Sequence, residues 1–489
     1  MKRLVQGPLR RWKAAHRRKP LIIRGGRQVG KTWSIEQLGR DEFKATIKVD
    51  LEKRADLHPL FGENLDSKTL LPRLEIAVGR RIVPGETLLF FDEIQACPRA
   101  LMALRYLYEG MPELHVVAAG SLLEFVRGEI SFPVGRVQFL DMYPLTFAEF
   151  VLAGGNVPLY EILRGPPAAL DEVTHRLLLE HLRTYFFVGG MPEAVSAYLA
   201  DGSILAAFEV QSEIIEAYRQ DFSKYAPRAD KDCLNQVLAS CAASVGEQVK
   251  YSRLAQGFSN PTIRKAFDLL CMAEVLHKIP ATKTPALPVG SNVNSKRFKA
   301  SIIDIGLMQR ISHLPVNVEL RQQDLLAIYR GKLAEQYAAQ ELLISQKREL
   351  YYWAREDHSS SAEVDYLAQK DGRVCPVEVK SGAGGTLRSM HMLLEAHPEI
   401  PEGIVLCGGP YGRRPESRLC FVPLYFAGSV CSTPASTPPT LSRASRAMLG
   451  APAGLQAVIT RESAKRLAAL SGSERTLKPV PRRRRRLIK

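Results

Sequence analysis

The chain has 489 residues, 46% of them hydrophobic and 24% charged, which excludes both a single small core and a wholly unfolded chain and makes about three domains the expectation. No apolar run approaches the roughly 20 residues that a bilayer-spanning helix needs, and the start Met1-Lys2-Arg3-Leu4-Val5-Gln6-Gly7-Pro8 has no secretory pattern, so the expectation is a cytoplasmic protein with no membrane partner. The net charge of +16 is uneven: from Ala427 onward thirteen lysines and arginines stand against Glu462 and Glu474, net +11, leaving +5 for the rest, so the total alone does not imply nucleic acid.

The eight cysteines never fall in a C-x-x-C pair, which argues against a zinc site and a disulfide framework and for reduced thiols. Cys375 reads as a small buried apolar residue. Near the start, Leu9, Trp12 and Ala15 at helical spacing predict a short helix. Its basic residues, Arg10, Arg11 and Lys13 among them, are read as solvated.

Leu21-Ile22-Ile23 then reads as a buried strand running into Gly25-Gly26-Arg27-Gln28-Val29-Gly30-Lys31-Thr32 and a helical segment from Trp33 to Leu38. Phosphate binding needs these residue types in this order. Gly25 and Gly30 let the backbone curl so that N–H groups face the phosphates, Lys31 reaches the β and γ oxygens, and the Thr32 hydroxyl serves Mg²⁺. Gly26, Arg27, Gln28 and Val29 complete the loop, and a bound nucleoside triphosphate follows.

Ala45 to Asp50 reads as a second strand and Thr87-Leu88-Leu89-Phe90-Phe91 as a third, buried on both faces and ending in Asp92-Glu93. Asp92 would hold Mg²⁺, and Glu93 would polarise the water that attacks the γ-phosphate. After an amphipathic helix from Arg99 to Glu109, the strand Leu114 to Ala119 ends in Gly120-Ser121. Ser121 is either a γ-phosphate sensor or the N-cap of a helix at Leu122 to Phe125. Arg136, before a strand at Val137 to Leu140, either stabilises γ-phosphate charge in its own or a neighbouring subunit or forms a surface salt bridge.

With Phe90-Phe91-Asp92-Glu93-Ile94-Gln95, Ala119-Gly120-Ser121, Pro133-Val134-Gly135-Arg136 and Tyr143-Pro144-Leu145-Thr146-Phe147-Ala148-Glu149-Phe150, the chain resembles the prokaryotic AAA-superfamily ATPases that carry a C-terminal domain of unknown function. The likeness continues through Phe187 to Val195, Ile303 to Leu307 and Gly331 to Glu335, and so covers nearly all of residues 18–425. It implies an ATP-hydrolysing α/β domain of the type with an additional strand and a catalytic glutamate.

Residues from Tyr160 to Tyr225 read as helical, with Arg219 and Asp221 in a polar end. A helix after Cys233, a second at Tyr251 to Ala255, a turn at Gly257, a third helix from Pro261 to Cys271 and Val275 to Ile279 follow the order of a winged helix. Ser259, Asn260, Thr262, Arg264 and Lys265 lie at the front of its last helix, where DNA readers place contacts; a packing module is the alternative.

Farther on, Ala362 to Ala368 and Val374 to Lys380 alternate around a turn at Asp371-Gly372. In such a hairpin Asp365 faces Glu378, and Lys380 projects from the same face as Glu378. Two carboxylates and a lysine suit Mg²⁺-dependent phosphodiester cleavage, with Glu335 on the helix Gly331 to Leu343 as a third oxygen ligand. The set Glu335, Asp365, Glu378 and Lys380 resembles the functional positions of the restriction-endonuclease-like core. The alternatives are a domain that has lost cleavage and a plain Lys380–Glu378 pair.

The expected fold is α/β: a P-loop NTPase of AAA type, with a parallel sheet and an additional strand, at residues 1–150, then a helical lid at 151–230. A winged-helix-like region at 231–320, a nuclease-like α/β domain at 321–426 and a disordered basic tail at 427–489 complete it. The expected function is Mg²⁺-dependent ATP hydrolysis acting as a nucleotide-controlled switch on a nuclease-like second half, whose partner is either DNA or a protein. The alternative is a nucleotide-dependent scaffold that binds a protein without DNA chemistry. The oligomeric state, and whether Arg136 acts within or between subunits, are left open.

Overall fold

A computed structural model describes residues 1–62, 64–121, 133, 135–225, 230–312, 326–355, 362–380 and 387–431. The helix expected at Leu122 to Phe125 and the tail from residue 432 lie outside these residues. The first part is built on five parallel strands, β1 (Leu21–Arg24), β2 (Ala45–Asp50), β3 (Thr87–Asp92), β4 (His115–Ala119) and β5 (Gln138–Asp141). Their order is β2-β3-β4-β1-β5. The strand β4 thus lies between β1 and β3, pairing Leu21 with Val117 on one side and Phe90 with Val117 on the other. Every residue of β3 and β4 is buried, as continuous apolar runs require when helices cover both faces. The insertion brings the carboxyl ends of the strands leading to the phosphate loop, Ser121 and Asp92 next to one another.

Helix α1 (Gln6–Ala14) buries Leu9 and Trp12, and its Arg10 and Lys13 pair with Glu42 at the end of α2 (Lys31–Glu42). The helices α3 (Ser67–Val78) and α4 (Pro98–Gly110) pack their apolar stripes on the opposite face of the sheet. Helix α5 (Phe147–Ala153) opens with a capping box in which Thr146 and Glu149 satisfy each other's backbone N–H. Glu149 also accepts from Arg3 Nε at 2.9 Å and from the backbone N–H of Leu4 at 2.6 Å, which fastens the start of the chain beneath the phosphate loop.

Five further helices follow: α6 (Val157–Arg164), α7 (Glu172–Val188), α8 (Pro192–Asp201), α9 (Ile204–Tyr225) and α10 (Lys231–Ala243). Tyr251 to Ala255, expected as a helix, forms only a short 3₁₀ turn at Tyr251–Arg253. The next helix, α11 (Asn260–Met272), leads into an antiparallel hairpin of β6 (Leu276–Thr282) and β7 (Val293–Ile302). A short α12 (Ile305–Ile311) and a long α13 (Leu326–Ser345) precede the remaining strands, β8 (Tyr351–Ala354), β9 (Glu363–Lys370), β10 (Arg373–Lys380), β11 (Gly403–Cys407), β12 (Gly412–Arg414) and β13 (Leu419–Pro423), with α14 (Arg388–Ala396) after β10.

These strands form one sheet of eight, ordered β12-β13-β11-β10-β9-β8-β6-β7. The β6–β7 hairpin joins it through the parallel pairing of Ala281 with Tyr352 and Thr282 with Trp353. The two regions expected as separate, 231–320 and 321–426, therefore share a sheet. One apolar cluster also runs from Leu9 and Val29 through Tyr185 and Ile303 to Cys431. Ala427, Val430 and Cys431 are buried in it, so the first residues expected in the tail belong to the core instead. Among the described residues no helix is long and apolar enough to cross a membrane.

Candidate functional site

The phosphate loop turns sharply at two glycines that no other residue could replace cheaply. Gly25 has φ 147°, and a Cβ there would lie 2.1 Å from the carbonyl oxygen of Met142; Gly30 has φ 90°. Gly30 precedes α2 and gives it no side-chain cap, which leaves the first-turn N–H groups available to an anion. Lys31 is buried, and its ammonium donates to the carbonyls of Gly25 at 2.9 Å and Gly26 at 2.7 Å. Burial pulls its pKa down to about 8, against the attraction of Glu93, Glu274 and Asp92. Arg3, which the sequence reading did not single out, donates to the carbonyl of Val29 at 2.9 Å.

Thr32 Oγ1 donates to the Asp92 carboxylate at 3.0 Å. A hydroxyl and a carboxylate side by side are the hard oxygen donors that Mg²⁺ takes, so the residues present fit that ion. Lys48, on the neighbouring strand, holds Asp92 Oδ2 at 3.1 Å. Glu93 adopts left-handed backbone at φ 47° just past the strand end, and Gln95 donates to its carboxylate at 2.5 Å. Gln28 is likewise left-handed, at φ 61°, so two non-glycine residues of this site sit in a costly conformation. Ser121 is buried beyond the end of β4. Arg136 instead lies on the surface, where its Nε donates to Glu109 at 2.8 Å; within this chain the surface-pair alternative is the one formed.

The second half of the chain packs directly on this loop. A Cβ on Gly26 would lie 2.4 Å from Ile303 Cδ1, 3.2 Å from the Tyr218 hydroxyl and 3.5 Å from the carbonyl oxygen of Glu274. The Tyr218 hydroxyl donates to the carbonyl of Arg27 at 2.9 Å, and the Arg27 guanidinium pairs with Asp221 on the same helix. Beside Ile303, the buried carboxylate of Asp304 accepts from Gly190 at 2.6 Å and Leu307 at 3.0 Å, while burial raises its pKa to about 6. Helix α13 reaches back as well: Glu341 accepts the first N–H of α5, from Phe147, at 2.8 Å.

At the other end of α13, Glu335 lies near Asp365 on β9 and Glu378 and Lys380 on β10. The β9–β10 ladder runs from Lys370–Arg373 to Tyr366–Val377. Beyond it the Asp365 side chain takes over from the backbone and accepts the N–H of Val379 at 2.8 Å. Lys380 Nζ donates to Glu378 Oε1 at 2.7 Å, the plain pair weighed from sequence. Glu378 Oε2 and Glu335 Oε2 are buried with no hydrogen-bond partner. Burial, then the charge of Asp365, raises Glu335 to about 8 and Glu378 to about 7.

Two members of this cluster were not singled out in the sequence. Lys299, on β7, is 1% exposed and puts its ammonium 2.6 Å from Glu363, 3.3 Å from Asp365 and 3.7 Å from Glu335. Burial opposes its charge, but Asp365, Glu335 and Glu363 hold its pKa well above the usual lysine value. Glu363, two residues before Asp365 on one strand face, was open to the same period-two argument. Lys299 left a fainter signal, a lysine within the apolar run Phe298 to Ile303. Among the described residues, no group of three His, Cys, Asp or Glu stands ready to hold a metal ion. Cys375 is buried against Cys431 and has no part in the cluster.

Residues 17–151 match the family model described as an AAA domain. The amino-terminal part is therefore similar to an AAA domain. Residues 179–317 and 330–426 match two models each described as a domain of unknown function, DUF8612 and DUF4143. No curated protein matches the chain. Among solved structures, it is similar to the Walker-type ATPase PABY2304 of Pyrococcus abyssi, 16% identical over 63% of this chain and 95% of that one, with a TM-score of 0.40. The Aeropyrum pernix Orc1 protein in complex with DNA is 12% identical over 65% and 92%, with a TM-score of 0.26. The Pyrococcus horikoshii STAND protein with a tetratricopeptide repeat sensor, PH0952, is 11% identical over 71% and 45%, with a TM-score of 0.24.

Proposed function

We propose that the chain hydrolyses ATP at the phosphate loop and uses the nucleotide state to switch its second half, a winged-helix and nuclease-like assembly. The observation that carries this reading is the contact of Ile303 with Gly26, because a loop that rearranges around phosphates cannot do so without moving the segment that rests on it. Lys31 leaves the carbonyls of Gly25 and Gly26 for the β and γ oxygens, and the N–H groups of the loop and the first turn of α2 cradle the phosphates. Thr32 and Asp92 would hold Mg²⁺, which when bound neutralises charge on the phosphate oxygens. Glu93, released from Gln95, polarises the attacking water, Ser121 senses the γ-phosphate from the neighbouring strand, and Arg136 acts on the phosphates of an adjacent subunit.

The test compares wild type with Glu93→Gln for hydrolysis and for nucleotide binding. Loss of a general base lowers the rate by about 100-fold or more and leaves binding intact; a wild-type rate no faster than the variant's would refute the assignment. Supercoiled, linear and single-stranded DNA added to both proteins then tests the second half, with salt-dependent binding favouring DNA as the partner. A scaffold that binds protein draws support from α11, where Arg264 is engaged by Asp268 at 3.8 Å and Lys265 is the other cation at the front. Absence of DNA binding, with a partner retained on Glu93→Gln, would favour that reading.

A further inference from the structure

The acidic cluster of the second half already holds a positive charge at its centre. Carboxylates from two elements, Glu335 on α13 with Glu363 and Asp365 on β9, point at one atom, the Lys299 ammonium. Oxygen donors converging from separate elements on one point are what a divalent cation requires. The lysine is also anchored. Its backbone pairs with Ile279 in the β6–β7 ladder and bridges Gln248 on the other side, and the rings of Tyr352 and Tyr366 flank the ammonium at 5.2 and 5.8 Å. Glu378, 6% exposed, leaves its Oε2 without a hydrogen-bond partner, while Glu335 Oε2, also without a hydrogen bond, lies 3.7 Å from the ammonium.

We propose that Lys299 is the resident cation of this cluster, seated where a divalent ion would bind, so that Mg²⁺ or Mn²⁺ enters only when the ammonium leaves. An ammonium 2.6 Å from one carboxylate and 3.3 Å from another fills the space in which an ion would make its own bonds of about 2.0–2.2 Å, and two cations there repel. Removing the charge while keeping the length and apolar stem of the side chain, as in Lys299→Met, leaves four carboxylates, Glu335, Glu363, Asp365 and Glu378, facing Lys380 alone. With the ammonium gone, that set offers the oxygen donors a divalent ion takes and can close on one. The inference rests on reading Glu335, Asp365 and Glu378 as a cation seat, and it gives that seat an occupant that the cleavage reading lacks.

The experiment counts Mn²⁺ bound to the full chain without nucleotide, by electron paramagnetic resonance of free Mn²⁺, for wild type, Glu378→Gln, Lys299→Met and the double variant. The expected result is equal binding by wild type and Glu378→Gln, one additional ion at least tenfold tighter in Lys299→Met, and its loss in the double variant. One ion bound by wild type and lost in Glu378→Gln would overturn the occupancy by Lys299 while leaving the seat standing. Equal binding by all four proteins would overturn the seat itself. Circular dichroism and nucleotide binding verify the fold of each variant; if Lys299→Met does not fold, Lys299→Gln takes its place, and the comparison of wild type with Glu378→Gln needs neither.

Discussion

Replacing Gly26 with alanine puts a methyl carbon 2.4 Å from Ile303 Cδ1, far inside contact distance. The backbone itself tolerates the change, since Gly26 is not among the residues with positive φ. The cost therefore comes from overpacking, about 1–3 kcal/mol. Ile303→Val deletes the offending carbon and by itself costs about 0.5–1.5 kcal/mol. In the double variant the two changes accommodate each other, so their combined effect falls short of the sum by about 1 kcal/mol. The Tyr218 hydroxyl at 3.2 Å and the Glu274 carbonyl at 3.5 Å keep the recovery incomplete. Because one apolar cluster spans the chain and a protein of this size need not unfold in one step, nucleotide affinity is the better readout. A fluorescent ATP analogue is expected to bind Gly26→Ala about tenfold more weakly, equivalent to about 1.4 kcal/mol, and Ile303→Val is expected to restore most of that loss. Effects that simply add would mean that Ile303 does not bear on the loop, and the proposed route from nucleotide to second half would fall with it.

Glu341 gives a pH prediction. Burial raises its carboxyl to about 8, although the Phe147 N–H pulls the other way. A carboxyl whose folded pKa lies above its unfolded value of 4.5 favours the folded state fully at low pH and loses that contribution as pH climbs from about 4.5 to about 8. Glu341→Gln keeps an acceptor for Phe147 and cannot ionise, so its melting temperature is expected to fall less than that of wild type between pH 5.5 and 8.5; parallel curves would refute the assignment. Arg136→Ala loses only the exposed pair with Glu109 and should change stability by less than about 1 kcal/mol. If Arg136 acts on a neighbour's phosphates the same variant lowers hydrolysis, whereas an unchanged rate returns it to its surface role.

The phosphate loop and the acidic strand end were legible because their chemistry is contiguous. Eight consecutive residues form the loop, and Phe90-Phe91-Asp92-Glu93 places its acidic pair at the end of a run whose burial its composition announces. The hairpin that brings Asp365 to Glu378 was legible for a related reason, since alternation sets which side chains share a face. Arg136 was less so: a loop arginine has no local pattern to say what it meets, and in this chain it meets Glu109. The expected helix at Tyr251 to Ala255 shrank to a single 3₁₀ turn between two longer helices, where local apolar spacing had suggested more.

By itself, then, the sequence determined the local pattern: a glycine-rich phosphate-loop motif at Gly25 to Thr32, an acidic pair at Asp92 and Glu93, and two carboxylates and a lysine around a hairpin. Only the tertiary structure decided what those groups face. Lys299 lies 66 residues from Asp365, and the N–H that Glu341 receives comes from 194 residues away. Such contacts depend on how helices and sheets pack, and side-chain periodicity carries no information about the partner surface. That packing lays Ile303 on the phosphate loop while Lys299, four residues earlier, sits in the acidic cluster, so a single strand end touches both sites.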